Sequence, residues 1–220
     1  MARGRRTFGI VGLGIFGRAV ANELTRFGNH VIGIDTNPQA VSDMVDTLTQ
    51  TMIVDARDEA ALREAGMGDC DFVLVAMGSD LEASILAVMN LKLIGVRTVW
   101  AKARTKTHHR ILSKLGVDRV IHPEHEVGQH IAQVMHNPLV RDYVSLGNGY
   151  HVVNFRIPES LEDRKLEDLS HAKEHNLRCI GVMRGTEYLG HDGSSFTLQP
   201  DDLLLLLGTR NDLREFAEDL

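Results

Sequence analysis

Three glycines near the amino terminus constrain the fold of this chain most strongly. Gly12, Gly14 and Gly17 lie in the stretch GIVGLGIFG and follow Phe8–Val11, an apolar run that predicts a β-strand. A G-x-G-x-x-G turn between a strand and a helix is typical of dinucleotide-binding folds, because the free N–H groups at the start of the helix favour a bound phosphate. The three glycines are expected to permit, in order, the tight turn, the approach of phosphate to the backbone, and close packing of helix against strand.

An acidic residue ends the second predicted strand, Val31–Ile34, eighteen residues after the last glycine. A carboxylate at this position, Asp35, accepts hydrogen bonds from ribose hydroxyls in Rossmann folds. Because it repels a 2′-phosphate, the sequence favours NAD(H) or an adenine nucleotide such as ATP or ADP over NADP. The other candidate nucleotide-binding residues lie in the glycine turn or follow strands at the same edge of the predicted sheet: Ile15, Phe16, Thr36, Asn37, Asp55, Ala56, Gly78 and Lys102.

Some of these candidates have a second interpretation. Asp55 either contacts adenosine or belongs to a segment, Asp55–Asp58, that caps the next helix. Lys102 either faces phosphate or is a solvated charge. The segment His122–Glu126 suggests a metal cluster, but acidic residues also begin helices because they complement the dipole. We favour Glu124 beside a divalent cation, Mg²⁺ or Ca²⁺, at the nucleotide, since hard cations take carboxylates together with phosphate oxygens.

Strand and helix patterns alternate through the first 135 residues. The strands predicted after Val31–Ile34 are Met52–Val54, Phe72–Val75, Val99–Ala101 and Val120–Ile121, with helical segments between them. Six strands joined by right-handed crossovers predict an α/β domain with a doubly wound parallel sheet, a Rossmann-like fold. We expect this domain to span residues 1–138 and a linker to span 139–149.

Residues 150–220 predict a small α+β domain. Its expected elements are two strands, Val152–Ile157 and Cys179–Met183, a helix at 166–173, a strand at 203–207 that is buried on both faces, and a terminal helix at about 211–218. This region contains 8 Lys+Arg and 14 Asp+Glu residues and so accounts for the net charge of −6. An acidic module argues against a nucleic-acid partner, because phosphate neutralisation dominates that binding.

The sequence offers no catalytic constellation. It contains no nucleophile elbow, no C-x-x-C motif and no acid–base pair tied to a substrate pocket. We therefore expect a binding protein that is not an enzyme; the alternative is an NAD-dependent oxidoreductase whose active site is completed by oligomerisation. Cys70 and Cys179 predict buried thiols of a cytoplasmic protein, and the longest aliphatic run, Leu203–Leu207, is too short to span a bilayer.

Three segments resemble the RCK (KTN) domains of TrkA/KtrA-type proteins, which regulate bacterial potassium uptake. They are Val99–Arg104, His108–Glu124 and Glu126–Ala132, and the glycine turn, Asp35 and Ala83–Leu86 fit the same family. The resemblance covers the whole chain, with a nucleotide-binding RCK_N domain followed by an RCK_C (TrkA-C) domain, and the single-length KtrA branch is more similar than the double-length TrkA branch.

The resemblance implies a cytoplasmic gating ring, a homo-octamer, held at the inner face of the cell membrane by a potassium (or potassium/sodium) transporter subunit of the KtrB/TrkH type. ATP, ADP or NAD(H) would bind the N-domains and shift the ring between conformations. By the same resemblance, the glycines form the phosphate turn, Asp35 and Asn37 contact ribose, Lys102 is the family's lysine after the fifth strand, and Glu124 approaches a divalent cation.

Two positions depart from the family pattern. Ile15 stands where KtrA-type turns often carry an arginine that reads the terminal phosphate across a subunit interface, and Arg18 lies nearby but at a different place on the helix. ATP and ADP are therefore not expected to be distinguished by the usual route. Ala172 stands where an arginine helps to bind cyclic di-AMP, so the sequence supports that ligand only weakly.

Overall fold

The computed structural model describes residues 5–137, 139–165, 175–190 and 197–218. The chain divides into two compact units, Met1–Glu124 and His125–Leu220. Over the described residues, none of the helices combines the length and the apolar character needed to cross a membrane. The helix predicted at 166–173 and the position of Ala172 lie outside the described residues.

The first unit is built on a parallel sheet. Its strands are β1 (Thr7–Val11), β2 (His30–Asp35), β3 (Gln50–Ile53), β4 (Phe72–Val75), β5 (Val99–Lys102) and β6 (Arg119–Ile121). The six strands are hydrogen-bonded in the order β3-β2-β1-β4-β5-β6, and every neighbouring pair is parallel. This is the strand order of a complete doubly wound Rossmann sheet, with its switch point between β1 and β4. The predicted fold class is confirmed.

Helices connect these strands and cover both faces of the sheet. They are α1 (Ile15–Arg26), α2 (Pro38–Ser42), α3 (Glu59–Glu64), α4 (Leu81–Leu93) and α5 (Lys106–Lys114). Because side chains alternate along a strand, Ile10 of β1 packs in a cluster with Ala21 of α1, whereas its neighbour Val11 packs in a cluster with Leu91 of α4. The apolar alternation of one strand thus fixes helices on opposite faces.

The second unit contains an antiparallel sheet. Its strands are β7 (Val140–Gly147), β8 (Tyr150–Arg156), β9 (Arg178–Arg184), β10 (Glu187–Tyr188) and β11 (Leu203–Thr209), in the order β10-β9-β11-β8-β7. Two helices flank these strands in the sequence, α6 (Pro123–His136) and α7 (Arg210–Glu218). The predicted small α+β domain is therefore confirmed as a fold.

The stretch 139–149, expected to be a linker, contains the strand β7. It pairs with β8 through a two-residue loop, and both loop residues, Asn148 and Gly149, have positive φ angles of 52° and 81°. Two-residue loops with positive φ at both positions favour asparagine and glycine, because these residues adopt positive φ most readily. Such loops are common in hairpins because their backbone twist matches that of the flanking strands. The Gly-Asn-Gly sequence is therefore a hairpin signal here.

The expectation for 203–207 is wrong, because β11 is not buried on both faces. Leu204 and Leu206 are fully buried, whereas Leu203, Leu205 and Leu207 are only half-buried. The buried pair packs in one apolar cluster with Phe216 of α7. An apolar side chain at every position, which is typical of strands covered on both faces, here occurs in a strand with one well-covered face.

A buried ion pair lies at the start of β11. Asp202 is 1% exposed, and its carboxylate accepts hydrogen bonds from Arg184 Nε at 2.9 Å, Arg184 Nη2 at 2.7 Å and the Gln199 N–H at 2.9 Å. Burial by itself raises the pKa of the Asp202 carboxyl, but the hydrogen bonds from Arg184 and Gln199 outweigh it, so the pKa is lowered. The folded chain therefore holds a buried, ionised aspartate at neutral pH.

Replacing Asp202 with asparagine should lower the free energy of unfolding by about 2 kcal/mol, since the charge-assisted bonds to Arg184 are lost. The folded-state pKa lies below the unfolded value of about 3.9, so this stabilisation is complete above that value and disappears as the pH falls through the folded-state pKa. Urea denaturation followed by circular dichroism checks both effects. Asp201→Asn is the matched control, because Asp201 pairs with Arg156 at the surface; equal losses in the two variants would contradict the assignment.

Candidate functional site

The turn between β1 and α1 has narrow steric limits at two of its glycines. Gly12 has a φ of +97°, a left-handed conformation that glycine adopts without strain, and its N–H donates to the Ile34 carbonyl at 2.8 Å. A Cβ on Gly17 would lie 1.9 Å from the carbonyl oxygen of Gly12. A Cβ on Gly14, by contrast, would meet no atom within 4 Å. The fold requires glycine at 12 and 17, and the space beside Gly14 is open.

Asp35 ties this turn to the end of β2. One carboxylate oxygen, Oδ2, accepts a hydrogen bond from the Leu13 N–H at 2.7 Å, and the other, Oδ1, accepts one from the Asn37 N–H at 2.8 Å. An ionised carboxylate has about four acceptor positions, so these two bonds leave capacity for ribose hydroxyls. The side chain of Asn37 accepts from the Gln39 N–H at 2.9 Å and caps α2, and Thr36 between them is exposed.

Arg18 supports the turn from the helix side. Its Nε donates to the Leu13 carbonyl at 2.6 Å, and its Nη1 donates to Asp43 Oδ2 at 2.7 Å. The guanidinium is thus engaged within its own chain, as part of the support of the turn. The sequence reasoning missed this role because Asp43 lies 25 residues away, and no local pattern connects the two. Ile15, where related turns often have arginine, is 94% exposed at the start of α1.

Three predicted residues come together where α1 begins and where β5 and β6 end: Phe16, Lys102 and Glu124. The Lys102 side chain is only 13% exposed and forms an ion pair with Glu124, and its Nζ lies 5.6 Å from the centroid of the Phe16 ring. The hydrogen bond from Lys102 is the main reason that the pKa of the Glu124 carboxyl is lowered. Lys102 is therefore not a solvated charge. It lies between the Phe16 ring of the glycine turn and the carboxylate of Glu124.

Asp55 has local partners, whereas the partner of Ala56 is distant in the sequence. Asp55 binds Arg57 through the side chain, with Nη2 to Oδ2 at 2.6 Å, and accepts from the Arg57 N–H at 3.0 Å. The side-chain bond from Arg57 is the main reason that the pKa of Asp55 is lowered. Of the two acids in this segment, Asp58 caps α3, accepting from the N–H groups of residues 60 and 61. Ala56 is buried and its carbonyl accepts from Asn90 Nδ2 at 3.1 Å.

Gly78 follows β4, where a close approach occurs. A Cβ on Gly78 would lie 3.1 Å from Cγ of Arg104 and 3.6 Å from Cδ of Lys102. The next helix, α4, begins with Asp80 as its cap, which accepts from the Ala83 N–H at 2.9 Å. Gly78 thus leaves room for two basic side chains at the edge of the sheet.

The segment His122–Glu126 does not form a metal cluster. Over the described part of the chain, no group of three or more His, Cys, Asp or Glu side chains is arranged to hold a metal ion. His122 instead stacks on His109, with ring centroids 5.0 Å apart and a contact of 2.8 Å from His109 Nδ1 to its Nε2. Glu124 offers carboxylate oxygens beside Lys102, and because the described residues form no cluster of three such ligands, a cation there needs phosphate oxygens or water as further ligands.

A glycine turn at the switch point of a doubly wound sheet, with acidic and basic side chains along the same edge, is the arrangement typical of Rossmann domains that bind nucleotides. Here the Rossmann-like domain precedes a small antiparallel module in a single chain. Residues 8–123 match the model of the TrkA-N domain, and residues 152–220 match that of the TrkA-C domain. The chain belongs to the TrkA/KtrA family, and the resemblance found in the sequence is confirmed.

Curated relatives extend over the full chain. It is 33% identical to Ktr system potassium uptake protein A of Vibrio alginolyticus over 220 residues, which cover 100% of both chains. It is 28% identical to Ktr system potassium uptake protein A of Bacillus subtilis (strain 168), covering 97% of this chain and 96% of the relative. The corresponding protein C of the same organism is 29% identical over 97% of each chain.

Solved structures share the fold at low sequence identity. The GsuK RCK domain matches 99% of this chain with a TM-score of 0.68 and 11% identity, and this chain spans 48% of its length. A structure described as the GsuK channel bound to NAD matches 97% of this chain with a TM-score of 0.66 and 11% identity; here the chain spans 39% of the other. These matches confirm the Rossmann-like and RCK-type architecture.

Replacing Gly17 with alanine should destabilise the first unit by about 3 kcal/mol or more, since the new methyl group meets the Gly12 backbone and overpacking of this kind is costly. Gly14→Ala, with open space beside the Cα, should cost at most about 1 kcal/mol, the usual scale of a helix-cap change. Urea denaturation followed by fluorescence of Trp100, the single tryptophan, on β5, measures both. Similar losses in the two variants would contradict the steric assignment of the turn.

Proposed function

We propose that this chain is a nucleotide-binding regulatory subunit that gates a membrane potassium, or potassium/sodium, uptake transporter. The observation that carries the proposal is an intact phosphate turn in a chain that aligns over its full length with Ktr system potassium uptake proteins. The nucleotide acts as a signal: it binds two conformations of an oligomer with different affinities and so shifts the balance between them.

The ligand of the turn is an adenine nucleotide, ATP or ADP, or NAD(H). Its phosphates lie beside Gly14, where the backbone is accessible, and its ribose hydroxyls donate to Asp35. Both oxygens of Asp35 already accept backbone N–H groups, which fixes the carboxylate in place before a ligand arrives. The negative charge of this carboxylate repels a 2′-phosphate. Thr36, Asn37, Asp55, Ala56 and Gly78 line the same edge of the sheet as lesser contributors.

The ion pair of Lys102 and Glu124 supplies the charge at the phosphate end. A phosphate group that reaches Lys102 competes with Glu124 for the ammonium group, and a divalent cation that accompanies the phosphates binds the carboxylate instead. When a nucleotide with Mg²⁺ or Ca²⁺ is bound, the cation neutralises phosphate charge and Glu124 is one of its oxygen ligands. Arg18 is engaged by Leu13 and Asp43, so with Ile15 in the turn a terminal phosphate lacks an arginine partner from this turn.

The subunit works as part of a larger assembly. We infer a homo-octameric ring on the cytoplasmic side of the membrane, held there by a transporter subunit of the KtrB/TrkH type. The names of the full-length relatives, potassium uptake proteins of the Ktr system, support the transporter partner, and the octameric ring is what the family resemblance implies. A stable monomer that associates with no such transporter subunit would contradict it.

The proposed role requires no chemical change in the nucleotide. The bound NAD(H) or ATP is therefore expected to be recovered unaltered after incubation with the protein. A steady, substrate-dependent change in NADH absorbance would instead favour the oxidoreductase alternative.

Calorimetric titration with ATP, ADP, NAD, NADH and cyclic di-AMP should show binding of at least one adenine nucleotide. Gly14→Ala should weaken that binding by at least about tenfold, equivalent to roughly 1.4 kcal/mol, because its methyl group occupies the space for the phosphate. The variant is expected to retain the fold, because a Cβ on Gly14 meets no atom within 4 Å, so lost binding reports the site itself. If no nucleotide binds, or if Gly14→Ala binds as the natural chain does, the site assignment is wrong.

Glu124→Gln should remove the effect of Mg²⁺ or Ca²⁺ on ATP affinity, because the amide is a poor ligand for a hard cation. Binding of NAD without added cation should change little. Titrations with and without each cation measure the difference, and Glu126→Gln, two residues further along α6, is the matched control. An unchanged cation effect in Glu124→Gln would contradict the proposed role of this carboxylate.

A further inference from the structure

The second unit contains a cavity built entirely from its own residues. Its volume is about 210 Å³, and it lies between the end of α6, strands β7 and β8, and helix α7. Apolar side chains form a large part of its wall: Val140, Val153, Phe155 and Leu213. At roughly 30 Å³ for each water molecule, this volume corresponds to about seven waters. The cavity therefore suits a ligand smaller than a nucleotide.

Two arginines from α7 also line this cavity. Arg210 and Arg214 are four residues apart, so they lie on the same face of the helix. Arg214 pairs with Glu218 at 3.6 Å, and both of these side chains are largely exposed. In the parts of the chain that the structure describes, Arg210 forms no ion pair. One wall of the cavity thus carries positive charge with little compensation.

Two polar atoms near this charge are buried without a hydrogen-bond partner. Tyr143 lines the cavity, and among the described residues its hydroxyl has no partner. Its ring stacks on His151, with centroids 4.6 Å apart, and the buried Nδ1 of His151 likewise lacks one in this part of the chain. Buried polar groups are nearly always satisfied, because an unmade hydrogen bond costs free energy. Of the two, Tyr143 lines the cavity, so its unpaired hydroxyl indicates a place there where a further polar group binds.

The charge state of the wall favours an anion. Burial, and then the nearby charge of Arg210, lower the pKa of His151, so its imidazole is neutral at neutral pH. Arg210 and Arg214 keep their charges at any physiological pH. Guanidinium groups bind carboxylate and phosphate oxygens in pairs of hydrogen bonds, which makes these two ligand classes the best match.

We propose that this cavity is a second ligand site, for a small organic anion that carries an apolar group: a carboxylate or a phosphate monoester. The anionic group binds Arg210 and Arg214, the apolar body packs against Val153 and Phe155, and a ligand oxygen accepts from the Tyr143 hydroxyl. The site lies within the second unit and goes beyond nucleotide binding at the glycine turn, so either site stands if the other fails.

The test is calorimetric titration of the full chain with benzoate, phenyl phosphate and, as an uncharged probe of similar shape, benzyl alcohol. At least one of the two anions should bind once per chain, and benzyl alcohol should bind at least about tenfold more weakly. Arg210→Gln should weaken anion binding by about tenfold or more, and Tyr143→Phe by about threefold. Arg178→Gln, an exposed arginine on β9, is the charge-matched control and should leave binding unchanged.

Gly14→Ala separates the two sites, because anion binding in the cavity should persist in this variant. Circular dichroism of each variant establishes that the fold is retained, and Tyr143→Phe, the smallest change, keeps the test decisive if Arg210→Gln unfolds. The proposal is overturned if neither anion binds at millimolar concentration, or if benzyl alcohol binds as tightly as the anions. It is also overturned if anion binding is lost in Gly14→Ala but retained at full strength in Tyr143→Phe.

Discussion

The carboxylate of Asp35 holds the glycine turn against the neighbouring strand, and the remainder of the proposed nucleotide site depends on this link. Its two oxygens accept the N–H groups of Leu13 and Asn37, so the turn after β1 and the helix start after β2 are fixed together. The backbone of Gly12 passes so close to Gly17 that a Cβ there would overlap the Gly12 carbonyl, so the first turn of α1 packs tightly against the turn. With both sides held, Gly14 remains as an open stretch of backbone at the switch point of the sheet.

The basic side of the same edge depends on the order of the strands. The carboxyl ends of β1, β4 and β5 are adjacent, so Lys102 at the end of β5 reaches the ring of Phe16 in the glycine turn. Glu124, which follows β6, completes the row by pairing with that lysine. In the proposed binding mode a phosphate and a cation each replace one partner of this pair, so that the site would respond to both the nucleotide and its accompanying metal.

The sequence predicted the six parallel strands and the glycine turn because each rests on a local pattern. An apolar run before G-x-G-x-x-G and an acid after the second strand specify a strand, a turn and a helix without knowledge of distant residues. The partners of Arg18, Lys102 and Asp202 could not be predicted in this way. Each pair joins side chains that are 18 to 25 residues apart and meet only in the folded chain.

The errors in the second unit also have physical reasons. Gly-Asn-Gly is typical of both connections and hairpins, and only the pairing of β7 with β8 distinguishes them. Leu203–Leu207 lacks the polar alternation that would have revealed its half-covered face. Within the segment Asp55–Asp58, Asp58 accepts from the first turn of α3 while Asp55 binds Arg57, so the cap is Asp58. A contact of Asp55 with adenosine stays a prediction.

Potassium flux in proteoliposomes that contain a Ktr-type membrane subunit is the most direct measurement of whether nucleotide binding at this turn gates transport. The flux with the natural chain should differ between the nucleotide-free state and saturation with the nucleotide that calorimetry identifies. With Gly14→Ala, the flux should stay the same in both conditions, because the nucleotide no longer binds at the glycine turn. A flux that is indifferent to nucleotide with the natural chain, or equally responsive with Gly14→Ala, would contradict this account.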